Sequence, residues 1–150
     1  MDYALFETKV RGIGISDNGE RKMVEYNYLV KSMDFSGAEM ATLVDVAPML
    51  EDANCKAIKL SNVNEIVNEE NNADGSKYYK VKVVMYLFDE STNRESKARF
   101  VYLVNATSPV EADNIIRAFM KECSYDVSDI SETKIFAILN GLRVPKEDAE

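Results

Sequence analysis

The sequence predicts an α+β fold: a tandem duplication of a strand-strand-helix-strand unit, with antiparallel sheet or sheets and two helices packed on one face. Three observations predict it. The triplet Tyr28-Leu29-Val30 returns as Tyr102-Leu103-Val104. Each triplet ends a pair of alternating segments joined by a polar turn. Each is followed by a serine with a glutamate three residues on, the signature of a capped helix start.

The elements follow in order. Leu5-Phe6-Glu7-Thr8-Lys9-Val10 alternates, with Phe6, Thr8 and Val10 on one face and Glu7, Lys9 and Arg11 on the other. Alternation with period two is the mark of a half-buried antiparallel strand. Ser16-Asp17-Asn18-Gly19-Glu20 supplies turn chemistry, and a second strand places Val24, Tyr26, Tyr28 and Val30 on one face. Ser36-Gly37-Ala38-Glu39 reads as a capping box. The helix it opens sets Met40, Leu43, Val44 and Ala47 on one stripe and ends or kinks at Pro48. A third strand runs from about Cys55 to Ile66.

The second unit repeats this order. Tyr79, Val81, Val83 and Met85 share a face opposite Tyr78, Lys80, Lys82 and Val84. After the turn Glu90-Ser91-Thr92-Asn93-Arg94 come Ala98, Phe100, Tyr102 and Val104 on one face. Ser108-Pro109-Val110-Glu111 caps a helix whose stripe is Ala112, Ile115, Ile116, Phe119, Met120 and Cys123. A last strand spans Tyr125 to Ile138, with Leu60 aligned to Ile130. The units are therefore bounded at 1–67 and 77–140. A polar linker (68–76) lies between them and a polar tail (141–150) follows, and the whole is expected to form one compact domain.

Composition limits what the chain can do. Its 150 residues include 46% apolar and 29% charged, ordinary for a globular protein. No segment offers the ~20 apolar residues that a membrane helix needs, and MDYALFETKV lacks the charge-then-apolar pattern of a secretory signal. A cytoplasmic setting with no membrane partner is expected. The net charge of −8 disfavours nucleic acid on average, although a local basic patch outweighs the average within a screening length of ~8 Å. Cys55 and Cys123 are expected to be small buried hydrophobes. Histidine is absent, which removes the Ser-His and Cys-His nucleophile systems, the usual general base and the commonest transition-metal ligand.

Phe6-Glu7-x-Lys9-Val10, the two YLV strand ends, Tyr79-Lys80-Val81-Lys82-Val83 and Ile130-Ser131-Glu132-Thr133-Lys134-Ile135 together resemble an uncharacterised family. It is domain-of-unknown-function family number 4494, short proteins of Bacteroides-group gut bacteria and their phages. The likeness covers nearly all of the chain but the last ten residues. It implies a phage or mobile-element setting. The family has no established activity, so the resemblance transfers no catalytic residue.

Few stretches carry chemistry. Gly12-Ile13-Gly14 has too few glycines for a phosphate loop and precedes a hairpin, so it reads as strand irregularity. Asp17-Asn18-Gly19 and Asn72-Ala73-Asp74-Gly75 lack the acidic ladder of a calcium loop and read as turns. Glu65 and Glu132, near the ends of the third strands, would approach each other if the repeat has an internal twofold, but solvated glutamates are the default. No catalytic residue, metal or cofactor is expected. The remaining constellation is the second hairpin. Tyr78, Lys80 and Lys82 share an outward strand face, Lys97 and Arg99 share that of its neighbour, and Lys77 and Arg94 are near in sequence. Cations that track phosphates beside a ring that stacks a base suit single-stranded nucleic acid or a nucleotide. The same lysines also suit a solvated sheet face.

The sequence thus leads to a non-enzymatic phage or mobile-element accessory protein that acts by binding. Its ligand-binding residues are Tyr78, Lys80, Lys82, Lys97 and Arg99. The alternative is a protein-interaction or structural component, a homo-oligomer or a sequestering immune-evasion protein.

Overall fold

The computed structural model describes residues 3–71 and 73–142. The fold is α+β. A first hairpin, β1 (Ala4–Ile15) and β2 (Arg21–Ser32), leads to α1 (Phe35–Val46), β3 (Glu51–Leu60) and β4 (Glu65–Val67). A second, β5 (Lys77–Asp89) and β6 (Arg94–Ala106), leads to α2 (Pro109–Phe119), β7 (Tyr125–Glu132) and β8 (Ile135–Asn140). The strands form two four-stranded sheets, ordered β3-β1-β2-β8 and β4-β6-β5-β7. Each hairpin is antiparallel and takes a further antiparallel strand on its first member. Each is completed by a parallel strand on its second member.

The two sheets repeat residue for residue. Thr8 pairs with Tyr28 and Ile58, and Val81 pairs with Tyr102 and Ile130. Even the irregularity recurs: β3 slips register between Lys9 and Val10, and β7 slips between Lys82 and Val83. Ile130 therefore corresponds to Ile58, and the alignment of Leu60 with Ile130 is two residues out.

The parallel strands change the expected organisation. Each expected third strand is two strands, because the chain leaves one sheet and enters the other. β3 ends on β1, where the Ser61 N–H donates to the Leu5 carbonyl at 2.8 Å, and β4 then pairs with β6. β7 ends on β5, where the Thr133 N–H donates to the Tyr78 carbonyl at 2.9 Å, and β8 then pairs with β2. Two compact units result, with chain breaks at 61/62 and 134/135. Bounds at 1–67 and 77–140 cut across this pairing. Of the expected linker and tail, Asn72 and residues 143–150 lie outside the described residues.

Both helices lie on their sheets through a row at i, i+4 and i+8. In α2 the row is Ala112, Ile116 and Met120, each at most 2% exposed. In α1 it is Ala38, Thr42 and Val46, each fully buried. The stripe expected for α1 is misplaced, since Met40 and Val44 face outward at 67% and 66% exposure. This helix is apolar around most of its girth, so periodicity could not choose its phase. Its start is also shifted. Ser108 caps α2 as expected: its side chain accepts from the Glu111 N–H at 3.1 Å, and Glu111 accepts from the Thr107 N–H at 2.7 Å. In α1 the cap is Asp34, two residues before Ser36, and its carboxylate accepts from the Gly37 N–H at 2.7 Å. A Cβ at Gly37 would stand 2.6 Å from Ser32 Oγ, so any other residue there forces the Ser32 side chain to move.

Gly19, at φ 83°, closes the β1–β2 turn, and Gly75, at φ 81°, sits in the turn before β5. Gly12 lies at the second β1–β3 register shift, where a Cβ would meet Leu50 Cβ at 3.0 Å. The cysteines are not core residues. Cys55 is half-buried, and Cys123 is exposed because α2 ends at Phe119 and carries Cys123 off the stripe. Among the described residues, no helix is long and apolar enough to cross a membrane.

The first core contains one polar contact that the second lacks. Thr8 and Thr42 hydroxyls meet at 2.9 Å between sheet and helix, and Thr42 also bonds to the Ala38 carbonyl. Val81 and Ile116 hold the corresponding places. Thr42→Val strands the Thr8 hydroxyl and should cost about 1–3 kcal/mol in urea unfolding. The double change Thr8→Val, Thr42→Val should recover most of that loss; a double variant weaker than Thr42→Val alone contradicts this account. Asp34→Ala should cost about 1 kcal/mol, whereas Ser36→Ala should stay within about 0.5 kcal/mol, by the same measurement.

Candidate functional site

The β5–β6 register places the five expected residues individually. On the face away from α2, Tyr78 stands opposite Asn105, Lys80 opposite Leu103, Lys82 opposite Val101, Arg99 opposite Val84 and Lys97 opposite Tyr86. From Tyr78 to the level of Lys97 is eight residues along β5, about 27 Å at strand rise. One compact site cannot hold all five.

The half nearer α2 is not a solvent face. Leu103 is 0% exposed and Asn105 3%, although both point away from the helix. Tyr78 and Lys80 are half-buried beside them. The Lys80 ammonium donates to Asn62 Oδ1 at 2.8 Å, and burial, with Glu69 nearby, pushes the Tyr78 phenol up. Lys77 pairs with Glu132 at 3.1 Å, an exchange that holds its ammonium above the usual lysine value. These groups are engaged within the protein rather than turned to solvent as a free basic face.

The distal half is open. Lys82, Lys97 and Arg99 are exposed. No ion pair is found for any of them among the described residues. The first unit shows the contrast. There Arg11 and Glu25 are bonded at 2.8 Å across the strands, and the corresponding places hold Val84 and Arg99. Two rings outside the expected set join the cations: Tyr86, 36% exposed, and Phe88, 57% exposed. The signal was present, since the alternation Tyr78, Lys80, Lys82, Val84 simply continues to Tyr86 and Phe88. The Tyr86 hydroxyl donates to Asp126 Oδ2 at 2.6 Å, and the Lys97 ammonium lies 5.8 Å from its ring centroid.

Backbone groups add to this surface. β4 pairs only with Tyr102–Val104, and Asn64 ends the contact. Its N–H donates to the Val101 carbonyl at 2.7 Å, and its side-chain oxygen accepts from the Val101 N–H at 2.7 Å. Val101 thus directs its backbone groups away from β5. By the alternation of an antiparallel pair, Arg99 and Lys97 do the same, along an edge with no paired strand among the described residues.

Carboxylates flank the surface. The β5–β7 register sets Asp129 beside Lys82 and Asp126 beside Val84, and Glu95 stands opposite Phe88. The two β7 carboxylates could not be placed from sequence, because a bulge intervenes between them. The other carboxylate pair is dispersed: Glu65 is on β4 and Glu132 on β7, opposite edges of one sheet. Three strand spacings separate these edges, about 14 Å, too far for shared proton chemistry.

The Tyr86–Asp126 bond makes a spectroscopic prediction. Asp126 raises the Tyr86 phenol chiefly by accepting the hydrogen bond of its neutral hydroxyl. Asp126→Asn should therefore let Tyr86 ionise at lower pH in an ultraviolet titration, a change missing when Tyr86→Phe is added. Tyr28, pushed up to about 12 by burial and then by Asp45, should titrate near the end of the same curve. An unchanged curve for Asp126→Asn would show that the bond does not form in solution.

Among curated proteins, no match to the chain was found. The model of one family, described as Domain of unknown function (DUF4494), matches residues 4–141. That span takes in all eight strands and both helices. The chain belongs to the DUF4494 family.

Proposed function

We propose that this protein acts by binding, without catalysis, and that its ligand is single-stranded nucleic acid held on the distal face of the β5–β6 hairpin. One observation carries the reading: three exposed cations, Lys82, Arg99 and Lys97, for which no ion pair is found among the described residues, lie on one ladder with the exposed rings of Tyr86 and Phe88. Successive members of a strand face are ~6.8 Å apart, so the rings and cations form an extended track. Bases stack on rings and phosphates follow cations, in a manner that tolerates any sequence. The outward N–H groups of Lys97 and Arg99 add donors for phosphate oxygens.

The acidic flank limits affinity without cancelling it. Asp126 and Asp129 lie on β7, and Arg99 and Lys97 lie two strands away on β6, about 10 Å. That exceeds the ~8 Å screening length, so the β7 carboxylates act weakly on the β6 cations, while Glu95 on the same β6 face offsets one of them and Asp129 stands beside Lys82. The absence of histidine and the dispersal of Glu65 and Glu132 favour binding over catalysis. An accessory role in the cytoplasm of a cell carrying a phage or mobile element completes the proposal, resting on the family resemblance.

Fluorescence anisotropy with a labelled single-stranded oligonucleotide tests it. Binding should weaken with salt at a logarithmic slope near −2, about 0.7 for each of three phosphates neutralised. The triple change Lys82→Glu, Lys97→Glu, Arg99→Glu should abolish it, and Tyr86→Leu should weaken it by about 5- to 150-fold, the equivalent of one stacked base. An unchanged affinity in the triple variant sinks the site. No binding at low salt removes nucleic acid and favours a protein partner on the same hairpin; competition by mononucleotides at micromolar level would make a nucleotide the ligand.

A further inference from the structure

The repeat lets one unit serve as a control for the other. The caps Asp34 and Ser108 correspond, as do the buried rows Ala38-Thr42-Val46 and Ala112-Ile116-Met120. On this alignment Ala41 corresponds to Ile115, and Asp45 to Phe119. In the second unit these two side chains stand on the flank between helix and sheet: Ile115 packs on the core, and Phe119, 47% exposed, meets Tyr102 edge-on at 5.6 Å. In the first unit the corresponding flank is, among the described residues, an open groove of about 440 Å³, lined by Gly37, Met40, Ala41, Val44, Asp45 and the end of β8 at Leu139–Gly141. Its floor has little side-chain bulk. Gly141 lies so close that a Cβ there would stand 3.3 Å from Ala41 Cβ. Its rim carries larger apolar side chains than α2 does: Met40 and Val44 are about two-thirds exposed, against Asn114 and Ala118 at the same places. The fold therefore does not require these apolar residues.

We infer that this groove receives an amphipathic helix of a protein partner, apolar on its inner face and bearing lysine or arginine at its ends. The second unit shows what the space accepts, side chains the size of isoleucine and phenylalanine. Charge selects the rest. The one charged residue lining the groove is Asp45, and Asp34 caps the other end of α1, eleven residues away, or about 16 Å along the axis. No lysine or arginine lines it among the described residues. A helix that lays an apolar face into such a groove buries Met40 and Val44 and offers its terminal cations to the two carboxylates. The inference stands apart from the hairpin reading, since none of its residues lies on β5 or β6.

The test uses the full chain and two labelled 16-residue helical peptides with the same leucine, isoleucine and phenylalanine face. One carries lysine at both ends, the other glutamate. The lysine peptide should bind saturably, at least tenfold tighter than its twin. Asp45→Lys should reverse that preference, and Val44→Glu should lower binding of the lysine peptide at least tenfold while leaving the melting temperature within a few degrees, because Val44 is exposed. Equal binding of the two peptides, or a preference unchanged in Asp45→Lys, overturns the inference. So does a dimer in light scattering that Val44→Glu dissolves, which would assign the groove to a second copy. Peptide binding seen only after residues 143–150 are removed would assign it instead to the chain's own end.

Discussion

Three consecutive residues in each sheet are buried on both faces. Tyr28 and Val30 point to α1 while Leu29 points away, and all three are 0% exposed; Tyr102, Leu103 and Val104 repeat the arrangement at 6% or less. A strand shielded on both faces reads as a continuous apolar run. Such a strand also needs both backbone edges paired, because an unpaired buried N–H or C=O costs about 1–3 kcal/mol. β1 or β5 supplies one edge. The other is supplied by β8 for β2 and by β4 for β6, each arriving from the half of the chain that built the other sheet. The two short crossings, at 61–64 and 133–134, are the consequence. Neither half of the sequence contains a finished sheet.

The same plan holds two different interiors. In the second unit the helix row and the sheet meet through Ile116 and Val81, and Phe119 closes the flank against Tyr102. In the first, Thr42 and Thr8 meet through hydroxyls, and Phe136 from β8 takes the edge-on place against Tyr28 at 5.9 Å. Asp45, where an aromatic ring could have stood, leaves the flank open and raises the Tyr28 phenol further than burial alone. The two flanks differ in the strand that completes each sheet as well as in their side chains, since β4 has three residues and β8 six.

The hairpin face illustrates why charge read along a strand differs from charge on a surface. Five residues shared one face in sequence, and they do share it in the structure. Burial then divides them. Tyr78 and Lys80 lie beside Leu103 and Asn105, while Lys82, Lys97 and Arg99 reach solvent. β7 brings Asp126 and Asp129 alongside, and Asp126 holds the Tyr86 hydroxyl. The surviving surface is smaller, more distal and more aromatic than the sequence implied.

The sequence by itself determined the local elements: both hairpins, both helices, the Ser108 cap, the turns at Gly19 and Gly75, and the duplication. Each depends on side-chain periodicity or on a backbone preference acting within a few residues. Periodicity failed where α1 is apolar on more than one face, and the Ser36 motif misled because Asp34 competes for the same role two residues earlier. The split of each third strand was illegible, since no glycine or proline interrupts Cys55–Ile66 or Tyr125–Ile138. Only the tertiary structure decided which sheet β4 and β8 complete, that Leu29 and Leu103 are buried, that Glu65 and Glu132 lie apart, and that Asp45 borders a groove. These are facts about neighbours distant in the chain, and they follow from the burial and backbone pairing of whole sheets, which no local pattern encodes.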